Sequence, residues 1–268
     1  MSGSRIRLKH LVDPSSGRAF VLSLAGGLSV GPIGQLADLE KGAFPLVNEH
    51  VTGIVLNKGV VKHLHEKLSE TRDVGLIVDL FGSTLVSLDP NDRQVICSVE
   101  HAVSIGAEAV LAHVDIGVQA EGRLLQECAM QVEQAEAWGM PLIVNMDTTQ
   151  TDAHKQFSGV LVAHAARLAQ EMGAGAVAIP YVGPQEDFRE AISGIKIPAL
   201  INGGSHVGTP QGMLRTVSDA LGAGAAGVLF GPAFLGTKSP NVVSKVLGEM
   251  IMGGKSLQEA KDLHPLTE

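Results

Sequence analysis

Two tripeptides carry the clearest candidate chemistry in this 268-residue chain: His113-Val114-Asp115 and Asn145-Met146-Asp147. Each closes a short apolar run, and residues two apart on a strand face the same way. If the two runs are neighbouring strands, both pairs point into one space holding two carboxylates, an imidazole and an amide. Such a set suits general acid–base chemistry. It also offers oxygen and nitrogen ligands to a divalent ion, although no H-x-x-x-H or comparable metal signature accompanies it. The plain alternative is that each Asp caps the helix that follows it.

Other run ends add to the set. Lys58, after Asn57, could neutralise an anionic substrate, or form an imine if burial kept it neutral; a salt-bridged rim lysine is the ordinary alternative. Asp79 could join the acidic cluster or cap the Gly82-Ser83-Thr84 turn. Asn202-Gly203-Gly204-Ser205 can turn backbone N–H groups toward a phosphate, with Gly231 ending the last run. The alternative there is that glycine pairs merely permit tight turns. His63 and His65, and His154 and His164, read as surface or structural residues.

These residues need a scaffold that gathers run ends at one place. Three helical stretches run through a Gly-Ala step into an apolar run, at Ile105–Leu111, Met172–Val177 and Leu221–Leu229. Glycine ends a helix at little cost, and helix, short loop and apolar strand in repetition is the pattern of a parallel sheet with helical crossovers. Eight runs are predicted as strands: Ala19–Leu24, Gly53–Leu56, Val74–Leu80, Ala109–Val114, Pro141–Met146, Ala176–Tyr181, Ala199–Asn202 and Gly227–Gly231. Helices are predicted over Gln94–Ile105, Gly122–Trp138, Ala153–Met172, Glu186–Ser193, Pro210–Leu221 and Asn241–Met252, and Lys255–Glu268 reads as a polar helical tail. The sum is one (β/α)₈ TIM barrel domain, with the barrel over about 19–254. A doubly wound open sheet would show a glycine fingerprint opening a helix after its first strand, and Ala25–Gly31 is not followed by a clean helix. In a barrel, strand C-termini and the loops after strands seven and eight form the active face and its phosphate site.

Composition narrows the partners. A net charge of −8 argues against nucleic acid, and an aromatic content of 3% argues against base or sugar stacking as the main binding mode. Cys97 and Cys128 form no CxxC pair, which fits a reduced cytoplasmic protein. The N-terminal residues lack an apolar signal core, and no apolar stretch is long enough to span a membrane.

An ordered set of segments resembles the archaeal-type class I fructose-bisphosphate aldolases, a family that includes 2-amino-3,7-dideoxy-hept-6-ulosonate synthase and the phospho-autoinducer-2 thiolase. The segments are Gly31-Pro32-Ile33, Gly82-Ser83-Thr84 with Asp89-Pro90-Asn91, Trp138–Ile143, His164–Leu168 and Asn202-Gly203-Gly204. The resemblance implies a (β/α)₈ barrel, phosphorylated ketose or dihydroxyacetone-phosphate-like substrates and large homo-oligomers. It also implies departures at the chemistry. Ala178 holds the place of the imine-forming lysine, Ala25-Gly26-Gly27 that of an Asp-His-Gly, Asp147 that of a tyrosine, and Gly231-Pro232 that of a Gly-Arg.

Alanine cannot form an imine, so three readings stand. In the first, a carbon–carbon lyase or synthase acts on a small phosphorylated carbonyl compound by acid–base chemistry. Asp147, Asp115, His113 and Lys58 would be its catalytic residues, and Asn145, Asn202, Gly203, Gly204, Ser205 and Gly231 would hold the substrate and its phosphate. No cofactor is expected. In the second, the barrel binds a ligand or partner without catalysis. In the third, a divalent metal replaces the imine as electron sink.

Overall fold

Short, β-branched runs flanked by glycine and polar residues favour extended structure over helix, and the chain closes eight of them into a ring. The computed structural model describes residues 2–32, 34–70, 74–148, 159–204, 209–231 and 239–266. The barrel strands are β1 (Ala19–Ser23), β2 (Gly53–Leu56), β3 (Gly75–Asp79), β4 (Ala109–Ile116), β5 (Leu142–Thr148), β6 (Ala176–Tyr181), β7 (Ala199–Gly204) and β8 (Gly227–Phe230). All pair in parallel in sequence order, and β8 closes on β1. The predicted strands match these within one or two residues at most ends.

Alternation divides the core in two. Outward-facing residues such as Phe20, Leu22, Val78, Val110 and Val144 pack under the helices. The inward-facing set is Ala19, Val21, Val55, Ile77, Ala109, Leu111, Ile143, Ala176, Ala178, Leu200 and Leu229, joined by Leu11. Branched residues and alanines share it, so large and small side chains fill the interior together.

Leu11 comes from an element the sequence reading passed over. The helix Ser2–Leu11 covers the N-terminal end of the barrel and drives Leu11 inward to 1% exposure. A Cβ added at Gly53 or Gly75 would lie 2.9 or 2.4 Å from Leu11 Cδ2, so a side chain at either strand start would push the tip of Leu11 from its seat.

Several predicted helices are also redrawn. Gln94 and Val95 pair with Gly82 and Phe81 as a short antiparallel hairpin, and the helix begins only at Val99, capped by Ser98. The predicted Gly122–Trp138 helix is Glu121–Ala137, and Ala153–Met172 is seen over Gly159–Glu171, residues 149–158 lying outside the described residues. The polar tail forms Leu257–Leu263 behind a Ser256/Glu259 capping box.

Because Leu11 fills the barrel floor, Leu11→Ala is expected to cost roughly 2–5 kcal/mol of stability. Urea unfolding would read this as a lower midpoint at unchanged m-value.

Candidate active site

The level of each polar side chain follows from strand register. β4 and β5 pair His113 with Asn145 and Asp115 with Asp147, so the two tripeptides are side by side, as alternation required. Below them the interior is apolar; above it, at the C-terminal mouth, polar residues take over the same inward positions. A cavity of about 240 Å³ opens there, lined in part by Ser23, Gly26, Asp79, Arg93, His113, Asn145, Asp147, Asn202 and Gly231.

A chain of hydrogen bonds crosses this mouth through four strands. Asp79 Oδ1 accepts from the Phe81 amide at 3.0 Å, and Asp79 Oδ2 lies 3.1 Å from His113 Nε2. His113 Nδ1 is 3.1 Å from Asn145 Nδ2. Asn202 Nδ2 donates to Asn145 Oδ1 at 2.8 Å and to the Met146 carbonyl at 3.2 Å. Both ends have fixed polarity: an amide N–H can only donate to Asp79, and a carbonyl can only accept from Asn202. Every group between is therefore oriented. The network assigns His113 as the neutral tautomer with its proton on Nε2, given to Asp79, and with Nδ1 accepting from Asn145. Asp79 thus joins the cluster, and the backbone amide it holds is that of Phe81 rather than one in the Gly82-Ser83-Thr84 turn.

The bond from Asn145 to Asn202 spans from β5 to β7 over the inner face of β6. Ala178, the register partner of Asn145, lies there fully buried with only a methyl group in the way. A register irregularity between Ile179 and Pro180 sets Pro180 opposite Gly203, leaving Asn202 as the extra residue of a bulge. Gly203 has φ +152°, a conformation that disfavours other residues.

The remaining predicted residues separate. Asp147 lines the cavity. Asp115 does not: its carboxylate, 4% exposed, receives Arg93 Nε at 3.1 Å beside the cavity. Lys58 is a correction, because Asn57 takes the next inward position after Val55 and turns Lys58 out of the barrel. Its ammonium donates to the Ile96 carbonyl, and Lys58 is exposed and absent from the cavity lining. His113 is a second correction, since neither ring nitrogen is left over for a substrate proton. Gly231 reaches the cavity, the backbone of Gly204 extends β7, and Ser205 lies outside the described residues. Among the described residues no group of three or more His, Cys, Asp or Glu is disposed to hold a metal ion. Burial pushes the Cys97 thiol up, away from thiolate chemistry. No described helix is long and apolar enough to cross a membrane.

Arg93 is the residue that the sequence reading missed. It sits on the strand-to-helix connection after β3, just before the hairpin strand misread as helix. The clue available was the short apolar run Val95-Ile96-Cys97 following a polar Asp89-Pro90-Asn91 turn.

Residues 17–235 match the model of the family described as DeoC/LacD family aldolase. The chain belongs to that aldolase family. A 2-amino-4,5-dihydroxy-6-oxo-7-(phosphonooxy)heptanoate synthase of Streptomyces griseus is 31% identical over 247 residues, 92% of this chain and 89% of that one. A 2-amino-3,7-dideoxy-D-threo-hept-6-ulosonate synthase of Archaeoglobus fulgidus is 30% identical over 271 residues, 98% and 96%. Among solved structures, an archaeal fructose-1,6-bisphosphate aldolase with its catalytic lysine bound to a carbinolamine intermediate matches with TM-score 0.79 and 26% identity, over 92% of this chain and 98% of that one. The aldolase barrel and its carbon–carbon lyase or synthase character are thereby shared. In this member, no lysine stands among the described residues that line the cavity.

The oriented network makes a spectroscopic prediction. In ¹⁵N-histidine spectra His113 is expected as the Nε2–H tautomer. Asn145→Asp replaces the donor to Nδ1 by an acceptor, and both ring nitrogens should then carry protons. An Nδ1–H tautomer in the parent protein would refute the assignment.

Proposed function

We propose that this aldolase-family barrel makes or breaks a carbon–carbon bond in a small phosphorylated carbonyl compound without an imine at β6. The observation that carries the reading is Asp147, a carboxylate lining a mouth where the neighbouring imidazole is fully engaged. Asp147 is then the group that moves a proton at the carbon next to the carbonyl. Asn145 keeps one amide N–H beyond its bond to His113, and this N–H stabilises the enolate oxygen in place of the iminium.

Relatives named for phosphorylated products support the substrate class. The Gly203-Gly204 backbone and Gly231, at the ends of β7 and β8, sit where this fold holds phosphate. Ala178 supports the absence of an imine, since a methyl group has no nucleophile to offer. Metal assistance is the weaker reading, because the described carboxylates and imidazole are tied to protein partners in ones and twos.

Proton exchange into dihydroxyacetone phosphate in D₂O, followed by NMR, tests the half-reaction alone. Asp147→Asn is expected to slow exchange roughly 100- to 10,000-fold, and borohydride should trap no substrate adduct on the parent protein. Equal exchange in the variant removes Asp147 from the mechanism, and a trapped adduct restores the imine. The missing lysine also favours a second reading, a barrel that binds without turnover. That reading would show as a raised melting temperature with dihydroxyacetone phosphate and no exchange at all.

A further inference from the structure

Arg93 is held far more firmly than a rim arginine needs to be. Its Nε is bound to Asp115, a carboxylate 4% exposed, at 3.1 Å. Its backbone carbonyl accepts from Arg123 Nη2 at 2.6 Å, and its amide donates to the Asn91 carbonyl at 2.9 Å. Arg123 in turn pairs with Asp92 and, at 2.7 Å, with Glu127, which ties the hairpin loop to the helix Glu121–Ala137. Main chain and side chain of Arg93 are thus both fixed. Yet its two terminal amino groups make no hydrogen bond among the described residues, and the side chain borders the cavity.

A guanidinium anchored through Nε presents its Nη1/Nη2 edge as a ready two-pronged donor for a two-oxygen anion. The position matters as much as the geometry. Arg93 and its anchor belong to the β3–β4 side of the ring, whereas Gly203, Gly204 and Gly231 belong to β7 and β8, three or four strands away in a closed barrel of eight. Asp79 and Asp147 line the cavity with carboxylates that repel an anion, so the side-chain charge that can hold one there is Arg93, the one permanent cation among the described residues lining the cavity.

We propose that Arg93, oriented by Asp115, binds a second oxyanion of the substrate, a carboxylate or phosphate at the end remote from the Gly203 turn. This rests on the reading of the mouth as a phosphate-binding substrate site. The substrate is then a two-headed anion, stretched across the barrel with its reacting carbonyl between the two anchors and beside Asp147. Asp115 acts through Arg93 as a positioning residue and has no contact with the substrate.

Calorimetric titration with three probes separates the possibilities: glycerol 3-phosphate with one anionic head, 3-phosphoglycerate with a carboxylate at the other end, and 1,3-propanediol bisphosphate with a second phosphate. The parent protein should bind at least one two-headed probe about 10-fold or more tighter than glycerol 3-phosphate, and the tighter one names the oxyanion. Arg93→Gln should erase that advantage while changing glycerol 3-phosphate binding much less. Arg93→Lys, which keeps charge but not the fork, should retain only part of it. Asp115→Asn tests the anchor in a chain whose folding is checked by circular dichroism, and it too should reduce the ratio. An equal loss for all three probes in Arg93→Gln overturns the proposal, because Arg93 would then serve the single phosphate. A ratio near one in the parent protein overturns it as well, leaving the phosphate site standing. If no probe binds the parent protein, the phosphate-site reading fails and takes this proposal with it.

Discussion

Every second side chain of eight parallel strands must point into a space with no bulk water, and that constraint governs the rest of the molecule. Where the interior is deep, the chain answers with alanine, valine, isoleucine and leucine. Nearer the mouth it places polar groups, and an unpaired polar group there would cost on the order of 1–3 kcal/mol. The hydrogen-bonded path from the Phe81 amide to the Met146 carbonyl is the result: Asp79, His113, Asn145 and Asn202 satisfy one another, and the backbone fixes the direction of each bond. A network pinned at both ends has one arrangement, so the mouth is built before any ligand arrives.

The same constraint sorts the groups that could do chemistry. His113 looks like the natural acid–base residue, but its two nitrogens are committed to holding neighbours in place. Asp115 looks equivalent to Asp147 by alternation and register, yet the hairpin after β3 delivers Arg93 onto it and converts it into an anchor. Of the His113/Asp115 and Asn145/Asp147 pairs, Asp147 is the carboxylate that borders the cavity, and the hairpin brings a guanidinium edge to the same space.

Much of this was legible in the sequence. Short apolar runs between helical stretches marked the eight strands, and period-two alternation set His113 with Asp115 and Asn145 with Asp147, because that periodicity is a local property of the backbone. The same rule, carried one residue further, would have turned Lys58 outward: Val55 points in, so Asn57 does and Lys58 does not. Contacts distant in sequence were harder to see. Ser2–Leu11 is a mostly polar helix whose single buried leucine gains meaning only from the glycines of β2 and β3. The two-residue strand at Gln94–Val95 is too short to show a period, so its apolar residues merged with those of the following helix. Arg93 was hidden for the same reason, since its role depends on a fold-back that sets it against a residue 22 positions later.

Under the proposed reading, Ala178 links the absence of an imine at β6 to the asparagine bridge that crosses it. β5 and β7 are separated by β6, and their asparagines meet only because the inner face of β6 carries a methyl group at the level of Asn145. A long side chain at this position would enter the path between Asn145 and Asn202 and break the bond that sets the direction of the whole chain. The alanine and the asparagine bridge therefore depend on each other sterically. Under the proposed reading, replacing Ala178 by lysine alone would not recreate an imine site. The amine would arrive in a mouth whose amides, imidazole and carboxylate are already mutually committed, and it would disrupt them before it met a carbonyl. A return to covalent chemistry would require the bridge to be dismantled together with the alanine.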